Sequence, residues 1–198
     1  MYIKITPQNT LHPETAMIPI ALEFKHNRFG FEYEQAFKIN SFVLNWNYNK
    51  SNLKYYRIQL NVRFYLKNEN KNKKHFVGFN FSYLPFKYDK ENDWYKKNGN
   101  YYRYTTSNIN IKQFYYRIFY GLSFSNETAF NFELITGFGI KNIIVTHNTK
   151  QQKKVNNQSV NEEWFSQKDR YVGSRIKPSV LICLRIGYKL FSSKNKKR

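Results

Sequence analysis

Residues 179–191 alternate. Val180, Ile182, Leu184, Ile186, Tyr188 and Leu190 share one face of an extended chain. Ser179, Cys183, Arg185, Gly187 and Lys189 share the other, with Leu181 the one apolar intruder before Phe191. A β-strand sends successive side chains to opposite faces, so the segment pairs a wholly apolar face with a polar, charged one. The same grammar recurs through most of the chain. Ile18, Ile20, Leu22 and Phe24 alternate with Pro19, Ala21, Glu23 and Lys25. Phe29, Phe31, Tyr33, Gln35 and Phe37 alternate with Arg28, Gly30, Glu32, Glu34, Ala36 and Lys38.

Further segments read alike: 56–66, opposite Arg57, Gln59, Asn61 and Arg63; 77–83, opposite Gly78, Asn80 and Ser82; 114–124, opposite Arg117, Gly121 and Ser123; and 130–140, opposite Asn131, Glu133, Gly137 and Gly139. With a short strand over 2–6, carrying Ile3 and Ile5, the count is eight. Most of them have lengths that fit a bilayer crossing by tilted strands. The pattern predicts an all-β fold, an eight-stranded antiparallel up-and-down transmembrane β-barrel. Residues 1–191 form its single domain and 192–198 a basic tail. The predicted connections alternate between long or irregular (7–15, 41–52, 89–100, 148–177) and short (26–27, 67–74, 125–127). Outer-membrane barrels have this asymmetry, with short periplasmic turns and long outer loops.

Composition agrees where it bears on the question. Aromatic residues make up 19% of the chain, yet mean hydropathy is −0.73 and no apolar run approaches a membrane helix. Alternation hides a barrel from hydropathy averaging. The formal charge of +20 favours anionic partners such as lipid headgroups, acidic polysaccharide or nucleic acid. Cys183 is the one cysteine, which rules out an intrachain disulfide and reads as a packed thiol. The start, Met1 to Thr6, lacks a leader's apolar core and cleavage site, so a removed leader is the expectation.

The inward faces predict a lumen network of Glu23, Glu32, Glu34 and Glu133 with Arg57, Arg63, Arg117 and Arg185. Buried charges are tolerable only when paired, and arginine suits bidentate pairing with carboxylate. Glycines 30, 78, 121, 137, 139 and 187 fall on the same faces and leave room for long arginines and for curvature. The network reads as a structural plug in preference to a polar pore. Tyrosines near strand ends, among them Tyr55, Tyr56, Tyr88, Tyr101, Tyr102, Tyr104 and Tyr188, read as an aromatic girdle.

The segments IPIALEFKHNRFGFEYE (18–34), YYRIQLNVRFYL (55–66), FELITGFGIK (132–141) and PSVLICLRIGYKLF (178–191) together resemble the small outer-membrane β-barrel proteins of Bacteroidota, a family of largely unknown function. The likeness covers most of the chain and is one of pattern. It implies an outer-membrane location, and its last segment is similar to the strand that barrel-assembly machinery reads. The chain departs from that form in the tail after Phe191.

No catalytic, cofactor or metal constellation is present. His12, His26, His75 and His147 fall at or near predicted turns and loops, with no Ser or Asp spaced to serve them. The expected protein is therefore non-enzymatic and without cofactor: a structural or accessory subunit of a larger outer-membrane complex. A small-solute pore and a soluble basic β-barrel that binds nucleic acid are the alternatives. Expected partners are outer-membrane lipid and other outer-membrane proteins, with no nucleic acid expected. Candidate contacts are Trp164, Phe165 and Tyr171 in the last long loop, and Lys194, Lys196, Lys197 and Arg198 in the tail.

Overall fold

The alternating segments become strands, and the strands close on themselves. The computed structural model describes residues 1–11, 16–39, 50–67, 73–125, 129–155 and 169–190. Its strands are β1 (Tyr2–Ile5), β2 (Met17–His26), β3 (Phe29–Lys38), β4 (Ser51–Tyr65), β5 (Lys73–Lys97), β6 (Asn100–Ser125), β7 (Phe130–Lys150), β8 (Lys153–Val155) and β9 (Gly173–Lys189). Each pairs antiparallel with its neighbour in the order β5-β4-β3-β2-β1-β9-β7-β6, and β5 pairs β6 to complete a ring of hydrogen bonds. β8 is not a separate wall. It resumes the β6 pairing in the register of β7 after a break at Gln151, where φ is +51°. The ring is thus eight strands, antiparallel throughout and barrel-like, with one 3₁₀ turn at Pro7–Leu11 as the only helical element among the described residues.

The expected asymmetry of the two ends is present in part. At one end lie the Asn27-Arg28 turn, the β4–β5 and β6–β7 connections and the terminal strands β1 and β9. Asn27 takes φ +52°, a conformation asparagine tolerates in two-residue hairpin turns. The other end differs from the sequence reading. Residues 89–97 continue β5 and 100–113 begin β6, so the expected loop is a two-stranded arm that extends past Ser51, the first residue of β4. It is closed by Asn98 and Gly99, both at positive φ (49° and 79°), the geometry of a type I′ turn. Likewise β7 runs to Lys150 and β9 starts at Gly173, so the last long connection is shorter than 148–177.

Burial sorts the two faces against the habit of water-soluble proteins. The outward set includes Ile182, Val180 and Phe138, which are 74%, 72% and 66% exposed, with Phe31, Val62, Phe79, Ile118, Phe132 and Leu134 also open. Glu32, Arg63 and Glu133 are 0% exposed. Soluble domains leave charged residues outside and bury them only when paired. The outward residues also pack as cross-strand pairs. Phe29 with Phe64, Phe81 with Tyr116 and Phe130 with Tyr188 have ring centroids 5.3–5.4 Å apart.

The interior is divided. One side holds charge. The other holds Tyr65, Phe76, Phe119, Ile135 and Cys183, and a second apolar layer of Met17, Ala36, Tyr55 and Leu84 lies toward the arm. A Cβ on Gly121 would lie 2.2 Å from the Phe76 ring, and one on Gly30 would lie 2.8 Å from a Glu23 carboxylate oxygen. These glycines therefore make room for aromatic rings and a glutamate, not for arginines. Tyr55, Tyr88, Tyr101 and Tyr104 are buried and so are not part of a girdle, whereas Tyr33, Tyr56, Tyr116, Tyr120 and Tyr188 are exposed on the outer face.

Candidate functional site

The charged side of the interior is built by β1, β2, β3, β4, β7 and β9, each contributing through its inward alternate positions. Arg63 lies between Glu32 (2.5 Å) and Glu133 (2.9 Å). Arg185 reaches across to Glu32, and to Glu34 at 3.0 Å, while Arg57 holds the other Glu34 oxygen at 2.7 Å. The fourth cation is Lys4, 2.6 Å from Glu133, 2.7 Å from Glu23 and 3.3 Å from Glu32. Neutral donors complete the shell. Tyr65 donates to Glu23, Asn61 to Glu32 and Asn131 to Glu133.

Seven of the eight expected lumen residues thus meet in one network. Arg117 does not. It is inward and half-buried, but its Nε–H donates to the Ser179 hydroxyl at 2.8 Å and its guanidinium lies over the Tyr115 ring. Lys4 takes the fourth place. The alternation of Ile3 and Ile5 pointed to Lys4 as inward, but a four-residue strand offers too little pattern to show what lies opposite it. Each carboxylate then has a cation, four to four. With Lys4, Glu23, Glu32, Arg63 and Glu133 all at 1% exposure or less, the network occludes its level of the interior.

A second polar cluster sits in the arm. Lys96 and Val172 exchange backbone hydrogen bonds with the returning chain (Lys96 N–H to Arg170 O, 2.7 Å; Val172 N–H to Lys96 O, 3.0 Å). Beneath them Lys90 pairs with Asp93 and with Asp169 at 3.0 Å, and Arg170 pairs with Asp93 at 3.2 Å while covering the Trp94 ring. His147, expected near a loop, is in β7 and packed on Tyr95. Its Nε2–H donates to the Asp169 carbonyl (2.7 Å), which fixes the tautomer, and Nδ1 accepts from the Ser107 hydroxyl (3.1 Å). Tyr171 bridges to Lys96 and is half-buried against its own chain. Trp164, Phe165, Lys194, Lys196, Lys197 and Arg198 lie outside the described residues.

Burial holds the His147 pKa below its ordinary 6.5, more than the Asp169 carbonyl and carboxylate raise it. The folded arm therefore binds fewer protons at this group than the unfolded chain. Its contribution to stability is present above pH 6.5 and is lost as pH falls through the lower folded value. Asp169 is held low against its burial by Lys90, so it titrates only below its ordinary 3.8. Between pH 7.5 and 5, loosening of the arm belongs to His147. Amide exchange at Lys96 and Val172, corrected for intrinsic rates, is expected to speed up over that range and to lose this dependence in His147→Phe. Flat protection across it would contradict the assignment.

Comparison of the chain with family models, with curated proteins and with solved structures finds no match.

Proposed function

We propose that the chain is a non-enzymatic β-barrel of a Gram-negative outer membrane, serving as a structural or accessory subunit of a larger complex there. The observation that carries this is the inversion of its two faces. Apolar side chains cover the outside of the ring, and paired charges fill the inside. The outward runs, such as 56–65 on β4, 114–124 on β6 and 130–140 on β7, have the roughly 9–11 residues that a tilted strand needs to cross a bilayer. The pattern likeness to small Bacteroidota barrels points the same way. The basic tail and the aromatic residues of the last connection are the proposed partner contacts.

The complete burial of Lys4, Arg63, Glu32 and Glu133 favours a closed interior over a pore. Protein reconstituted in planar bilayers is expected to give no sustained conductance steps. Regular steps from the wild-type protein would replace this reading with a channel. Affinity isolation from native membranes under mild detergent is expected to recover other outer-membrane proteins. Deletion of 192–198 or Trp164→Ala should lower that recovery. Isolation of the chain alone would count against the subunit role.

A further inference from the structure

Arg117 is an interior cation that stands outside the network. Four carboxylates are held by Lys4, Arg57, Arg63 and Arg185. Arg117 has a hydroxyl and a ring but no carboxylate among its described partners. Beside it is a cavity of about 250 Å³ that Arg57 and Arg185 also line, and the Nε atoms of these two arginines are buried without a hydrogen-bond partner. A half-buried guanidinium without a counter-ion is costly, and the Arg117 fork suits a carboxylate, with the charges of Arg57 and Arg185, themselves engaged by Glu34 and Glu32, beside it.

The cavity has an apolar side as well, from Leu84 and Phe86, and it continues to Val180 and Ile182. Those two residues face outward, while Cys183 and Arg185 of the same strand face inward. A space that touches both sets passes the edge of β9. It does so where β1 has ended at Ile5 and the Gln8 side chain stands in for a strand, accepting from Leu184 N–H (3.0 Å) and donating to Ile182 C=O (3.3 Å). A volume of about 250 Å³ has room for a carboxyl group and a few methylenes. The rest of a longer chain would lie outside, against Val180 and Ile182.

We propose that this cavity binds the head of a single-chain fatty carboxylate, with the alkyl chain leaving past the edge of β9 into lipid. The proposal rests on the reading that the outer face meets a bilayer. It is tested with carboxyl-¹³C dodecanoate added to the full-length protein in phosphatidylcholine nanodiscs, entry into the disc being checked by size exclusion before ligand is added. A saturable protein-bound carboxylate resonance is expected, staying ionised to lower pH than the pool dissolved in the disc. Arg117→Gln should weaken binding at least tenfold. Ile182→Trp, which removes no charge and narrows the exit, should weaken dodecanoate while sparing acetate.

Several outcomes overturn the site. One is the lack of a saturable signal. Others are wild-type affinity in Arg117→Gln, or acetate bound as tightly as dodecanoate, which would mark a site for small free anions. Entry into the disc without dodecanoate binding defeats this proposal alone. Failure to enter the disc defeats the membrane reading and this proposal with it.

Discussion

Arg63→Met is expected to destabilise the folded protein by about 3–5 kcal/mol, the usual cost of removing one partner from a buried ion pair. Arg63 is 0% exposed and holds Glu32 and Glu133, with Glu23 at 3.6 Å. Its loss leaves Lys4 to serve three carboxylates and Arg185 to serve two. The double change Arg63→Met with Glu133→Gln should recover part of the loss, because it removes one of the stranded charges. Urea titration of reversible folding into lipid vesicles measures both. A loss below about 1 kcal/mol for the single change, as for an exposed pair, would mean that the network is solvated.

The second large effect belongs to the outer face. Leu60 is paired with Tyr33 on one side and Phe81 on the other, near the middle of the apolar run of β4. Leu60→Arg is expected to cost about 2–4 kcal/mol in a bilayer, whereas Phe29→Arg, next to the Asn27-Arg28 turn, should cost only about 0–1. Depth dependence is what distinguishes lipid from water. In a water-exposed sheet, both changes would place an arginine on a solvated surface, where most substitutions fall within about 0.5 kcal/mol.

Strand identity and facing were legible because alternation is strict wherever the two sides of a strand meet different media. One face of β7 carries Phe130, Phe132, Leu134, Phe138 and Ile140 outward, with Thr136 the one polar residue among them. The arm was not legible because that contrast fades there. Residues 89–100 are Asp-, Lys- and Asn-rich and read as a loop, although the Asn98-Gly99 pair within them was a hairpin signal in its own right. Register alone also cannot say which charges meet across the interior. Arg117 and Arg185 are both inward arginines, but Arg185 faces β3 and its glutamates, while Arg117 lies among Tyr115 and Ser179. The closing strand β1 is so short that its alternation marked Lys4 as inward without showing which carboxylates it would meet.

The claim at the centre of this account is that lipid covers the apolar outer face, and detergent dependence tests it most directly. Protein purified from membranes should stay monodisperse above the critical micelle concentration of its detergent. It should associate or precipitate when the detergent is removed, unless phospholipid replaces it. A monodisperse monomer in detergent-free buffer, with its sheet content intact, would contradict the account.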